Sequence, residues 1–223
     1  MERDVKAVQH QGPPAQARTR RTRAAVIEAA RTLFLERGYG GTTMEAISEA
    51  SDTPQATVYR LFSSKLGILK ALLDVSIAGD DQAVPMLDRP HVRALLSDPD
   101  PRSQLTGFAA MLGDLMARAA PVHRILADAS RSEREAAVLL GQIAAQRDEG
   151  LQRIARTLAR SGALRTELHE RDAADIIHAL ASPEVFGLLV IDRGWSAERY
   201  ETWLRQTLID QLLPRQRRGA ASR

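Results

Sequence analysis

The feature that most limits what this chain can become is the closely spaced helix punctuation between Gly38 and Ser64. From Thr22 to Arg37 the apolar residues Val26, Ile27, Ala30, Leu33 and Phe34 recur at three and four residues, which is one helical face. Gly38 stands where a left-handed residue would stop that helix. Thr42-Thr43-Met44-Glu45 has the form of a capping box, with the Thr42 hydroxyl accepting from a backbone N–H and Glu45 reaching back. The helix it opens, about 43–50, is cut short by Ser51-Asp52-Thr53, where Asp52 tolerates the left-handed turn better than most residues. Thr53 then caps a third helix with Pro54 at its first position, where a missing N–H costs nothing. That helix ends near Phe62, and Ser63 or Ser64 caps a fourth with Leu66, Leu69, Leu72 and Leu73 as its buried stripe. Helices this short, with the second and third only three residues apart, describe a helix-turn-helix.

Composition supports an all-α chain. Only 4% of the 223 residues are aromatic and cysteine is absent, which disfavours extensive sheet and excludes disulfides, thiolate zinc sites and cysteine nucleophiles. No segment has the apolar length of a membrane span or a signal peptide, so a soluble cytoplasmic protein is expected, nucleoid-associated when bound to DNA.

Charge is unevenly placed. Residues 1–70 carry eleven Lys/Arg against seven Asp/Glu, residues 71–214 sixteen against twenty-one, and residues 215–223 four Arg and no acid. An acidic body between basic ends suggests that a polyanion binds at an end. In a helix-turn-helix the third helix offers its outward residues to the major groove while Ile47, Val58 and Phe62 pack inward. Gln55 suits adenine, Arg60 guanine or a phosphate, and the Ala56 and Thr57 methyls thymine. Thr42 or Thr43 offers a helix N-terminus to a phosphate. Arg18, Arg20, Arg21 and Arg23 precede the first apolar stripe and could enter a minor groove.

The run AVIEAARTLFLERGYGGTTMEAISEASDTPQATVYRLFSSKLGILKALL, residues 25–73, resembles the DNA-binding domain of the tetracycline-repressor (TetR) family. The matching landmarks are EAA, LF, E-x-G-Y, the Thr pair, Ile47-Ser48, Thr57-x-Tyr59, Phe62 and Ser64-Lys65. It departs from the family pattern at Ser51–Ala56, where Ala-Gly-Val-Ser-x-Gly is usual, and at Leu66-Gly67, where an acidic residue usually follows the lysine. The resemblance implies a three-helix reading head with Tyr59 and Lys65 on phosphates, a larger helical domain binding a small ligand, and a homodimer on a palindromic operator in double-stranded DNA. The expected organisation is a disordered arm (1–17), a helix-turn-helix domain (18–64), a helical ligand-binding and dimerisation domain (65–214) and a disordered basic tail (215–223).

In the C-terminal part, residues 79–102 read as a loop or frayed link, rich in Pro and Asp. A helix marked by Leu105, Phe108, Leu112, Leu115 and Ala119 should end before Pro121, with a short helix at about 122–129 after it. Ser130-x-x-Glu133 and Ser132-x-x-Glu135 signal the start of a long helix running to about Arg160. Two helices, about 171–192 and 197–213, close the chain, the first kinked at Pro183. Their seams, Ile177, Leu180, Leu188 and Ile191 with Tyr200, Trp203, Leu204 and Leu208, are the expected dimer interface. Phe108, Met111, Leu112, Leu115, Met116, His123 and Leu126, with Gln142 or Gln146, are the candidate lining for an unidentified, mostly apolar effector.

Other classes have less behind them. No phosphate-binding Gly loop, H-E-x-x-H or G-x-S-x-G occurs, so no catalytic residue and no cofactor are expected. Asp175-x-x-His178, with Asp172, is one face of one helix and short of a ferritin-like metal set. The alternatives are a DNA-binding factor without an effector, a helical enzyme and a scaffold with a degenerate head.

Overall fold

The computed structural model describes residues 14–79, 84 and 86–215. Its helices are α1 (Pro14–Arg37), α2 (Met44–Ala50), α3 (Gln55–Phe62), α4 (Lys65–Ala78), α5 (Pro90–Leu96), α6 (Pro101–Ala129), α7 (Arg134–Arg160), α8 (Glu170–Leu180), α9 (Pro183–Phe186) and α10 (Ala197–Leu212). Among the described residues there is no strand. Two compact units divide between Leu72 and Leu73, so the first half of α4 counts with the N-terminal unit and not with the body, as a boundary at Ser64 would have it.

In the first unit α1 starts at Pro14, eight residues before the expected Thr22. The segment expected as arm therefore becomes helical from Pro14 onward, because proline is tolerated at a first position and Ala, Gln and Arg propagate a helix well. Residues 1–13 of that arm, and 216–223 of the basic tail, lie outside the described residues. Val26, Ile27, Ala30, Leu33 and Phe34 form the buried face as their spacing requires, joined by Tyr39, Met44, Ile47, Val58 and Phe62. Gly38 takes φ +68° and ends α1.

The second unit is a helical core. Phe108, Leu112 and Met116 of α6, Leu151, Ile154 and Leu158 of α7, Ile177 of α8, Phe186 of α9, and Tyr200, Leu204 and Leu208 of α10 are buried together. Four expectations change here. The 79–102 link contains α5, started by Pro90 and anchored by buried Val92. Helix α6 runs straight through Pro121. The lost backbone bond costs about 3 kcal/mol, which burial of Ala119, Ala120, Val122, Ile125 and Leu126 on both sides outweighs. The Ser130 and Ser132 hydroxyls donate back to Ala127 O and Ala129 O, so α7 starts later, behind Glu133. Around Pro183 the chain breaks instead of kinking: Ser182 caps α9, and a π-helical turn, Gly187–Asp192, follows. Arg147 of α7 closes the end of α8 by donating to His178 O and Ala181 O at 3.3 and 3.4 Å.

Tyr200 is fully buried, with Phe186 edge-on at 4.8 Å, and its hydroxyl has no hydrogen-bond partner among the described residues. Burial pushes that phenol well above its ordinary pKa, so it stays protonated. An unsatisfied buried hydroxyl costs about 1–3 kcal/mol. Tyr200→Phe is therefore expected to stabilise the protein by about 1 kcal/mol, a rise of about 2–4 °C in Tm for a chain of this size. A fall in Tm on thermal unfolding would mean that the hydroxyl has a partner.

Candidate nucleic-acid interface

Helix α3 is amphipathic over two turns. Val58 and Phe62 are buried, while Gln55, Ala56, Tyr59 and Arg60 are exposed and Thr57 is half-buried. Tyr59 shows 45% of its surface, too much for a packing residue. Helix α2, buried through Met44 and Ile47, holds α3 from below through a turn latched by hydrogen bonds. In that turn Ser48 Oγ donates to Thr53 O at 2.6 Å, and Thr53 N to Ser48 O at 3.1 Å. Asp52 takes φ +45°, the left-handed conformation expected of it.

Two capping assignments move by one residue. Thr43, not Thr42, caps α2, its hydroxyl accepting from Ala46 N at 3.1 Å. Thr42 is fully buried, and its hydroxyl donates to Leu33 O at 3.2 Å and Gly38 O at 2.8 Å. Its side chain therefore ties the end of α1 to the start of α2 and exposes no surface. Thr42→Val, nearly the same shape, is expected to cost about 1–2 kcal/mol in denaturant unfolding while leaving the DNA affinity of the folded protein unchanged. Thr53 does not cap α3. Its hydroxyl turns back to Ser51 O, and Pro54 with φ −52° and ψ 135° is itself the cap. Thr53 lies one residue too early to reach the first free N–H groups of α3.

Ser64 caps α4 by accepting from Gly67 N at 3.0 Å. A Cβ at residue 67 would collide with the Phe62 carbonyl oxygen, which accounts for glycine at this departure from the family pattern. Lys65 is half-buried; its Nζ donates to Tyr39 O at 2.8 Å and lies 4.1 Å from the Tyr39 ring centroid. Arg23 is exposed, with its guanidinium 4.6 Å above the Phe62 ring. Both cations border the reading helix, already engaged by an aromatic ring.

One pairing had no sequence signal. Gln55 Nε2 of α3 donates to Glu45 Oε1 of α2 at 2.7 Å. The Glu45 carboxyl is held below its ordinary pKa, first by its own backbone N–H, then by the Thr43 hydroxyl and the Gln55 amide. Glu45 is thus a carboxylate at neutral pH on a surface otherwise suited to phosphate. Its place in a capping box marked it as structural, and only the fold brings it to Gln55.

The other candidate residues lie in the second unit. Phe108, Leu112, Met116 and Leu126 are buried, Met111 and Leu115 are half-buried against the core, and His123 is half-buried with burial lowering its pKa. Gln142 and Gln146 are exposed and take no part in that buried cluster. The expected dimer seams divide: Ile177, Tyr200, Leu204 and Leu208 are fully buried within the chain itself, so they cannot face a partner. Leu180 and Trp203 are half-buried, and Leu188 and Ile191 are 56% and 42% exposed. His178 is engaged by Asp148 at 3.3 Å and Arg147 at 3.1 Å.

Residues 26–72 match the family model described as bacterial regulatory proteins, tetR family. The uncharacterised HTH-type transcriptional regulator YvkB of Bacillus subtilis is 37% identical over 54 residues, 24% of this chain and 29% of that protein's length. Among solved structures, NalD of Pseudomonas aeruginosa, the secondary repressor of the MexAB-OprM multidrug efflux pump, superposes with a TM-score of 0.68 at 21% identity. The match covers 89% of this chain and all of NalD. The regulator FadR of Bacillus subtilis, solved with stearoyl-CoA, gives 0.66 at 17% identity over 83% of this chain and 97% of FadR. At these identities the likeness is one of fold.

Proposed function

We propose that this chain, a tetR-family regulator by its residues 26–72, is a homodimeric repressor that leaves a palindromic operator when a small, mostly apolar effector binds its second unit. The observation that carries the reading is α3: Gln55, Ala56, Tyr59 and Arg60 are free of the core while Val58 and Phe62 anchor the helix from behind. That is what a helix needs in order to lie in a major groove and be held rigid there. The testing experiment is selection of bound sequences from random duplex DNA by the full chain. Two related half-sites about one helical turn apart are expected, roughly 34–36 Å between reading helices. A binding curve that weakens steeply with salt is expected with them. Recovery of no common sequence would end the reading.

Dimerisation is supported by the stretch Glu170–Asp192, whose mean hydropathy reaches 1.6 although only 22% of it is buried. In length and apolarity it would suffice to cross a membrane, contrary to the expectation that no segment does, yet it is broken at Ser182-Pro183 and packed against α6, α7 and α10. Its uncovered apolar side chains, Leu188 and Ile191 foremost, suit a second copy of the same chain. The effector reading draws on the apolar core around Phe108, Leu112 and Met116 and on FadR, whose structure holds stearoyl-CoA. Release follows if the effector prefers the conformation that binds DNA poorly; a hundredfold loss needs about 2.7 kcal/mol of coupling. Such a regulator works in the cytoplasm and is not an enzyme.

A further inference from the structure

We infer that Glu45 is the specificity-setting partner of Gln55, orienting its amide so that the reading helix accepts adenine and rejects guanine at one position of each half-site. The inference rests on the DNA-binding reading above. A glutamine alone presents its amide either way round, and its two N–H groups can serve both guanine acceptors, N7 and O6. A carboxylate has no donor, so Glu45 Oε1 at 2.7 Å can take only an N–H. That contact directs Nε2 toward α2 and consumes one of its hydrogens. What remains is one acceptor, Oε1, and one N–H, the complement of adenine N6–H and N7. Against guanine the oriented Oε1 would face O6, acceptor to acceptor.

The setting points the same way. Both residues are exposed, on the two helices of the motif, where a hydrogen bond open to water contributes little to stability. Glu45 is ionised, held so by its own backbone N–H and by Thr43 as well as by Gln55. A fixed negative charge on a phosphate-facing surface weakens general affinity for DNA, and orienting the amide of Gln55 is what it does in return.

The test is sequence selection from random duplex DNA by wild type, Glu45→Ala, Glu45→Gln and Gln55→Ala, with thermal unfolding of each as a folding control. Gln55→Ala should erase one adenine position per half-site. Glu45→Ala should bind DNA at least as tightly overall but lose about tenfold of adenine-over-guanine preference at that same position alone. Glu45→Gln, whose amide can donate as readily as accept and so leaves Gln55 free to turn over, should lose the preference as well. An unchanged preference in Glu45→Ala, or a preference retained in Glu45→Gln, overturns the inference while the regulator reading stands. If wild type recovers no common sequence, the regulator reading falls and takes the inference with it.

Discussion

Replacing Gln55 and Arg60 together by alanine is expected to weaken operator binding at least a hundredfold. Each base-edge contact of this kind is worth about 1–3 kcal/mol, and every 1.4 kcal/mol is a factor of ten. Both side chains are exposed, so the double variant should unfold within a degree or two of wild type. Equal stability with lost affinity is what separates a reading residue from a packing one. Gel-shift midpoints within threefold of wild type would place the base contacts somewhere other than α3. Arg60→Lys should recover only part of the loss if the guanidinium contact is bidentate, because an ammonium cannot supply the paired donors. Salt dependence should steepen or flatten with phosphate contacts and stay nearly constant for base contacts.

The second large effect concerns assembly. Leu188→Glu with Ile191→Glu should convert a dimer to a monomer in sedimentation at micromolar concentration. It should also lower operator affinity by about 10²–10⁴, the advantage lost when two linked contacts become one. These two side chains are 56% and 42% exposed in the single chain and lie three residues apart on the π-helical turn. Two carboxylates placed there cost the monomer little, but they would be desolvated in an apolar interface, which costs several kcal/mol per ion. The monomeric fold should be retained, with helical content unchanged by circular dichroism. Leu204→Ala gives the contrasting result. Leu204 is fully buried within the chain, so its truncation should cost about 2–5 kcal/mol of folding stability without a selective effect on assembly. A double variant that remains dimeric would move the interface away from the π-helical turn.

Between Gly38 and Ser64 the helix punctuation was legible to within one residue. Gly38 and Asp52 adopt the left-handed conformations their positions require, and Ser64, one of the two serines offered, caps α4. The inward set Ile47, Val58 and Phe62 followed from spacing alone. Errors of one residue at Thr42/Thr43 and Thr53/Pro54 arose because adjacent hydroxyls offer the same capping chemistry. Which of them is drawn inward depends on where the carbonyls of Leu33 and Gly38 lie.

In the second unit the signals were weaker and the fold overrode several of them. Pro121 reads as a stop but sits within α6, because the buried residues on either side repay its missing bond. The seams at Ile177 and along α10 read as one apolar surface, yet the core of the same chain takes Ile177, Tyr200, Leu204 and Leu208 and leaves Leu188 and Ile191 outside.

The sequence by itself determined the all-helical class, the helix-turn-helix and the likeness of residues 26–72 to the tetR family model. Each depends on residues a few positions apart whose backbone preferences act locally. Only the tertiary structure decided which apolar face of α10 turns inward, where Thr42 spends its hydroxyl, and that Glu45 meets Gln55 ten residues away. Burial and side-chain pairing between helices are set by what packs opposite, and an amphipathic pattern specifies a face without specifying its partner.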